Sequence, residues 1–263
     1  MMKRAWALML LLAAAWGACG AEPPAMPSPA VLAASMRQAR LSDGFEVRMR
    51  LSTIDPEGHR SAPVKLALIG QFGADTARLL VRGISPESAR DQLFAAERDA
   101  NGRIRSVRYG SNLADGIVAV DPFTQLFGSD LVLWDLLSPW WDWSQQSPAG
   151  TGKAAGHDCA IVRSQANATP SRIREVMSCV DAEAGLAFRT ELFDGHRAPA
   201  RTIVVEQSLR KASGPAFVKR ITIVSADKST EIDVYAGDEN YVVAADTFAA
   251  LDARPAPGKQ ADR

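Results

Sequence analysis

The chain has 263 residues, with 30 Lys and Arg balanced by 30 Asp and Glu, so its formal net charge is zero. Apolar residues make up 47% of the chain and charged residues 23%, which is typical of a globular protein with a sizeable core. Zero net charge argues against nucleic acid as a partner, because phosphate backbones require a concentrated basic surface. The composition also excludes a wholly disordered chain, a collagen and a dense disulfide scaffold.

Residues 1–21 have the features of a secretory signal peptide. Lys3 and Arg4 form a basic start, residues 5–15 form an apolar run too short to span a membrane, and cleavage is expected after Ala21. The alternative is a lipoprotein signal with acylated Cys19, although Trp16 stands where an aliphatic residue is usual. Both alternatives predict export to the periplasm, the second in a lipid-anchored form.

Export affects how the remaining cysteines are interpreted. Without the signal peptide only Cys159 and Cys179 remain, and an even pair in an oxidising compartment indicates a disulfide. The alternative is two free buried thiols. A metal site is disfavoured because neither cysteine has a second ligand at useful spacing.

The first structural elements after the signal are a helix and a run of strands. Residues 22–44 are expected to hold a leader and a helix over 29–40, capped by Ser28 and started by Pro29. From Phe45 the apolar residues recur at every second position, which predicts half-buried antiparallel strands. Turn residues at 55–58 and 99–102 divide this region, so 45–109 is predicted to be a five-stranded meander.

The middle of the chain, residues 121–146, breaks this pattern and holds four of the six tryptophans. Ser129 or Asp130 is predicted to cap a helix that Pro139 ends. The helix is apolar at nearly every position, so it is expected to be buried or to lie over an apolar cavity. Its tryptophans could form a core plug, a lid over a ligand, or a patch that contacts membrane lipid.

The second half is predicted to return to strands after a loop at 147–156. The expected strands cover residues 159–163, 172–180, 186–193, 202–207, 218–225 and 230–235. A helix at 246–252 and a disordered tail at 253–263 are expected to follow them. No change in composition divides the chain. We therefore expect one antiparallel β domain over 45–252, with helices before, within and after the sheet.

Sequence motifs for catalysis are absent. There is no Gly-x-Ser-x-Gly elbow, no His-Glu-x-x-His and no phosphate-binding glycine loop. His59, His157 and His196 lie in turns or at a strand start, where solvated histidines are expected. We therefore predict a protein that is not an enzyme, with no catalytic residue, metal or cofactor.

The order of features resembles the outer-membrane lipoprotein-sorting family, which includes the carriers LolA and LolB. The similarity is carried by an export signal, alternating strands and short motifs at 126–131 (Leu-Phe-Gly-Ser-Asp-Leu), 134–137 (Trp-Asp-Leu-Leu), 156–159, 179–181, 186–195 and 245–248. The resemblance implies a mainly β fold with some helix: a curved antiparallel sheet forming an incomplete β-barrel, closed by N-terminal, central and C-terminal helices. It also implies a cavity that holds acyl chains and a role in lipoprotein sorting.

The candidate ligand-binding residues are apolar side chains at inward strand positions and in the central stretch. They are Phe45, Val47, Met49, Leu51, Leu66, Leu68, Leu79, Val81, Leu131, Trp134, Leu137, Trp140 and Trp141. The expected partner is an acyl chain, a lipid or a lipoprotein. Because the same alternation suits a filled core, the alternative is a non-catalytic envelope module that docks a membrane-protein partner.

Overall fold

The computed structural model describes residues 27–110, 116–166, 172–210 and 216–253. The predicted signal peptide with Cys19 and residues 254–263 of the predicted tail lie outside the described residues. None of the described helices combines the length and the apolar character needed to cross a membrane.

Thirteen antiparallel strands of the described residues form one sheet, and four short helices pack around it. The strands are β1 (Ser42–Ile54), β2 (Val64–Phe72), β3 (Ala77–Ser85), β4 (Leu93–Arg98), β5 (Ile104–Tyr109), β6 (Ile117–Ala119), β7 (Gln145–Ala154), β8 (His157–Gln165), β9 (Glu175–Asp181), β10 (Leu186–Phe193), β11 (Arg201–Arg210), β12 (Ala216–Val224) and β13 (Ser229–Asp238). The helices are α1 (Pro29–Arg40), α2 (Glu87–Arg90), α3 (Leu133–Leu137) and α4 (Ala249–Asp252), with a 3-10 turn at Pro139–Asp142.

The sheet consists of two meanders joined in the middle. The order of the strands is β6-β5-β4-β3-β2-β1-β13-β12-β11-β10-β9-β8-β7, so the only neighbours far apart in sequence are β1 and β13. In the described part of the chain the edge strands β6 and β7 are not paired with each other. The predicted antiparallel β architecture is therefore confirmed, and the sheet is open.

The sheet curves around residues 121–144, which we call the central segment. Ile104 of β5 and Ile203 of β11 both pack against the same two apolar clusters that contain residues of this segment. Seven strand spacings separate these two strands, which corresponds to roughly 33 Å in a flat sheet. Both strands can reach one short segment only because the sheet bends towards it.

The first half agrees closely with the predicted elements. Helix α1 covers the predicted range, and Ser28 Oγ accepts a hydrogen bond from the Val31 backbone N–H at 3.4 Å. Strands β1 to β5 form the predicted meander. These elements follow from local signals, a cap and a change of apolar period, that the tertiary structure does not override.

Two predictions in the middle of the chain are wrong. The helix begins at Leu133 after Val132 and not at Ser129 or Asp130, because both of these side chains bond elsewhere: Ser129 Oγ donates to the Leu126 carbonyl, and Asp130 faces β13. The predicted loop at 147–156 is mostly strand β7. As an edge strand paired only with β8, β7 tolerates proline and glycine and needs no apolar alternation.

Helix α4 is shorter than predicted and packs on the face of the sheet opposite the central segment. Its Leu251 joins Phe248, Ile69 and Leu80 in an apolar cluster. Ile69 and Leu80 alternate with Leu68 and the other residues that face the central segment, so they point to the other side. The C-terminal helix therefore covers the outer face.

The predicted disulfide between Cys159 and Cys179 is confirmed. It joins neighbouring strands β8 and β9 with a Cα–Cα distance of 5.3 Å. Both cysteines are buried in a cluster with Phe188 and Val205. The bond therefore links the second and third strands from the β7 edge of the sheet.

We expect replacement of both cysteines by alanine to lower the free energy of unfolding by about 3 kcal/mol, because a closed loop of about 20 residues restricts the unfolded chain. Urea unfolding of the oxidised protein and the double variant measures the difference. Reductant should lower the free energy of unfolding of the native protein to that of the variant, and it should leave the free energy of the variant unchanged. Equal unfolding energies under oxidising conditions would contradict the prediction.

Candidate functional site

The structure divides the sequence-predicted ligand residues into two adjoining groups. The first contains the strand residues, together with Leu131 and Leu137 of the central segment; its fully buried strand members are Met49, Leu51, Leu66, Leu79 and Val81. Phe45, Val47 and Leu68 belong to the same group but are only half-buried. We call the side of the sheet that carries these strand residues the inner face.

The second group contains the three tryptophans. Trp134 stacks on Phe123 with ring centroids 5.1 Å apart and lies 5.3 Å from Trp140. Trp134, Trp140 and Trp141 are each at most 4% exposed and pack against Leu32 and other apolar residues of α1. The tryptophans therefore lie between α1 and the sheet.

Several inner-face residues were not among the predicted set. Phe72, Phe94, Ile221, Ile223 and Ile232 pack in or against the first group. Each alternates with outward residues in its own strand, so the period-two signal that identified the first three strands also identifies these.

Glycine at position 70 is required by the packing of the inner face. The ring of Phe45 lies directly across Gly70, where a Cβ atom would overlap the ring atoms. Phe45 also meets Phe72 edge-to-face, with centroids 5.5 Å apart. The missing side chain at Gly70 lets the aromatic surface continue from β1 to the end of β2.

Polar anchoring of the central segment comes from three aspartates, which sequence patterns did not identify. The first is Asp130, whose backbone N–H donates to Thr230 Oγ1 at 2.9 Å. Its Oδ1 accepts from Ser225 Oγ at 3.1 Å and lies 3.9 Å from Lys228 Nζ. This aspartate ties the middle of the segment to the β12–β13 hairpin.

The second anchor is the buried ion pair between Asp135 of α3 and Arg201 of β11. Asp135 Oδ1 accepts from the Arg201 guanidinium at 2.8 Å, whereas Oδ2 is buried without a hydrogen-bond partner among the described residues. Burial raises the pKa of Asp135 to about 7, against the opposing effect of Arg201. The nearby negative charge of Asp130 also raises this pKa, so burial and Asp130 together outweigh the ion pair.

The third anchor is Asp142 at the end of the 3-10 turn. Both its carboxylate oxygens accept from Arg40 at 3.2 Å, and Oδ2 lies 3.3 Å from Arg98 Nε. Arg40 also donates to the carbonyls of Leu137 and Ser138. Helix α1 is thus fastened to the end of the central segment by charge as well as by apolar contact.

Among the pockets on the described surface, two lie away from the predicted ligand residues. The first, of about 290 Å³, lies between α1 and the β2–β3 turn and includes Arg98 and Asp142. The second, of about 510 Å³, is lined by residues of β8 and β9 and by Phe193, Gly195, His196 and Arg197.

The histidines occupy two different settings. His59 and His196 are exposed in turns, as predicted. His157 differs, because it lies in β8, where its Nδ1 is 2.9 Å from Asp181 Oδ2 and its ring stacks on Phe188.

Among the described residues, Asp55, Glu57 and His59 have potential metal-ligand atoms within 4.8 Å of one another. All three are exposed. Asp55 already accepts from the His59 backbone N–H at 2.7 Å and contacts its ring at 3.0 Å. These contacts account for the cluster as bracing of the β1–β2 turn.

No family profile matches the chain, and no curated protein sequence matches it. Solved structures do match it over most of their length. A domain named for outer-membrane lipoprotein sorting, from Vibrio parahaemolyticus, has a TM-score of 0.71 at 13% identity, covering 83% of this chain and 96% of that one. A DUF1329 family protein from Desulfovibrio piger has a TM-score of 0.72 at 15% identity, covering 84% and 97%.

A third match is a LolA superfamily protein from Nitrosomonas europaea, with a TM-score of 0.65 at 12% identity, covering 83% of this chain and 96% of that one. This chain has a LolA-like fold. The resemblance read from the sequence is therefore confirmed at the level of the fold. In this LolA-like sheet the central segment and α1 lie against the inner face, and α4 lies outside.

We expect the stability of the protein to fall as pH rises from about 4 to about 7, through Asp135. The unfolded carboxyl ionises near its ordinary pKa of 3.8 and the folded one at about 7, so the folded state binds more protons between these values. Replacing Asp135 by asparagine should remove this part of the pH dependence. Urea unfolding of the protein and the variant across this range measures it.

Asp158→Asn serves as the control, because the Asp158 side chain is 92% exposed. It should leave the pH dependence as it is in the native protein. An Asp135→Asn variant whose stability varies with pH like that of the native protein would refute the prediction.

Proposed function

We propose that the protein is a periplasmic carrier that holds an acyl chain of a lipid or lipoprotein between the inner face and the central segment. The observation that carries the proposal is the apolar inner face of the curved, open sheet, which the central segment covers only in part. Phe45, Val47 and Leu68 are half-buried there, and Ile203 and Ile221 extend the same surface from the other side.

The chemistry of the inner face favours an apolar ligand. Its side chains are mainly apolar. The charged Arg201 that faces the central segment is already paired with Asp135, and Arg98 lies at the rim. Burial of an acyl chain is favourable by about 0.8 kcal/mol per methylene, so a long chain gains affinity from apolar area alone. A charged or polar substrate would find few partners on this surface.

The contacts between the central segment and the inner face are of a kind that an entering acyl chain can replace. The segment contributes Leu126, Leu131, Leu133 and Leu137 to the inner-face cluster. An acyl chain offers the sheet the same kind of contact, so it can replace these leucines when the segment moves outwards. Asp130, near the middle of the segment, and Asp142, near its C-terminal end, keep it attached to the sheet and to α1.

The export signal predicted over 1–21 places this carrier in the periplasm, and acylation of Cys19 would anchor it to a membrane. The similar solved structures support the carrier through their names, which refer to lipoprotein sorting and the LolA superfamily. No part of the proposal requires a catalytic group.

A second candidate function is an envelope interaction module that docks a membrane-protein partner. The burial of Trp134, Trp140 and Trp141 favours it, because a permanently filled interior leaves no room for a ligand. The two candidates differ in whether the inner face binds a free apolar compound.

We expect protein purified without detergent to bind the neutral fluorescent probe phenylnaphthylamine, and long-chain acyl compounds to displace the probe. Val47→Asp should weaken probe affinity at least about tenfold, because a carboxylate on the inner face loses hydration when the probe binds. A fluorescence titration measures both effects, and mass spectrometry identifies any lipid that co-purifies.

Val224→Asp is the matched control, since Val224 is 43% exposed and follows the inner-face residue Ile223 in β12. It should bind the probe as the native protein does. If the native protein binds no probe and carries no lipid, the carrier is overturned. Stoichiometric recovery of one envelope membrane protein would then favour the interaction module.

A further inference from the structure

The pocket of about 290 Å³ beside α1 is lined by more positive than negative side chains. It is formed by α1, by the turn that follows Phe72, by Arg98 of β4 and by Asp142. Its volume is at the lower end of ligand pockets, enough for a small group and too small for a long acyl chain. Its charged side chains are Arg37, Arg40 and Arg98 against Asp142, which gives a net charge of +2.

Asp142 is already shared between two of these arginines. Both its oxygens accept from Arg40 at 3.2 Å, and the contact with Arg98 Nε at 3.3 Å lacks hydrogen-bond geometry. Arg37 donates to the Trp141 carbonyl at 2.6 Å, a neutral partner. One carboxylate therefore compensates three guanidinium groups.

Arg98 is the least satisfied of the three. Only 6% of the residue is exposed, and its Nε is buried without a hydrogen-bond partner among the described residues. A buried guanidinium N–H without an acceptor is costly, because it has lost its contact with water and gained no hydrogen bond in exchange. Burial and the neighbouring charges of Arg98 and Arg37 lower the pKa of Arg40, although Asp142 opposes them.

We infer that this pocket binds an oxyanion of the phosphate class, either free or as the head group of a lipid. Such an anion neutralises the excess charge and supplies the acceptor that the Arg98 guanidinium lacks among the described residues. One guanidinium group can donate two parallel hydrogen bonds to two oxygens of a phosphate. A group of three arginines is therefore better suited to phosphate than to a monovalent halide.

The position of the pocket explains why a lipid head group is one source of the anion. Phe94, Ala96 and Arg98 are alternate residues of β4 and lie on the inner face, and Arg98 is the last of the three. Phe72 and Ala77 belong both to the inner-face cluster and to the pocket wall. The pocket is therefore the charged rim of the apolar surface, although an anion can bind there whether or not an acyl chain is carried.

The first test is a thermal-unfolding titration with inorganic phosphate, compared with sodium chloride at equal ionic strength. We expect phosphate to raise the Tm of the native protein saturably and chloride not to do so. Arg98→Met should abolish the phosphate effect. Arg105→Met removes the same charge from an exposed site on β5 and should leave the effect intact.

Because Arg98→Met removes a buried side chain, Arg37→Gln provides a second, milder variant. Arg37 is only half-buried, and its replacement should weaken phosphate affinity at least about tenfold by calorimetry. Equal responses to phosphate and chloride in the native protein, or undiminished phosphate binding in both pocket variants, would overturn the inference.

The second test separates the two sources of phosphate. Flotation with phosphatidylcholine vesicles, with and without phosphatidic acid, reports recognition of a lipid head group. Arg98-dependent recruitment to the phosphatidic acid vesicles supports the head group, and phosphate binding without such recruitment supports free phosphate. Binding of the neutral phenylnaphthylamine probe does not depend on the arginines. Failure of the carrier function is therefore seen as loss of probe binding, and failure of the anion site as loss of phosphate binding.

Discussion

The packing of the central segment against the inner face is the contact on which the rest of the structure depends. Leu126, Leu131, Leu133 and Leu137 belong to one apolar cluster with strands from both meanders, from β5 on one side to β11 on the other. A flat sheet of this width would leave most of that apolar surface in water. Curving around the segment removes the surface from water on both sides at once, and α1 then covers the tryptophans that remain.

Charge pairing determines where the segment lies along the sheet. Apolar contacts tolerate small displacements, whereas a buried carboxylate must meet its cation or stay neutral. Asp130, Asp135 and Asp142 meet partners on β13, β11 and α1, respectively, so three separate contacts hold one short stretch. At Asp142 the cations outnumber the anion, and this surplus is what makes the neighbouring pocket a binding site in our interpretation.

Local patterns in the sequence were sufficient to predict helix α1, the first meander and the disulfide, whereas the LolA-like fold was implied by the family resemblance. Each depends on signals a few residues apart or on a pair of cysteines. The start of α3 and strand β7 were missed for a physical reason. Ser129 and Asp130 look like caps, but Asp130 bonds to Thr230, 100 residues away, and no local pattern contains that contact. Arg201 lies 66 residues from Asp135, and Arg98 is also far in sequence from Asp142, so local patterns hid both arginines from the predicted site.

The unpaired edges of the sheet have a consequence for its mechanics. A closed barrel can widen only by breaking hydrogen bonds between strands, because every strand has a neighbour on both sides. In this chain β6 and β7 are the two ends of the order, and β6 is only three residues long. The interior can therefore change its volume by a change of twist shared over twelve strand pairs, with each ladder intact. The free-energy cost of such a change lies in side-chain contacts, which a bound apolar molecule replaces in the carrier function that we propose.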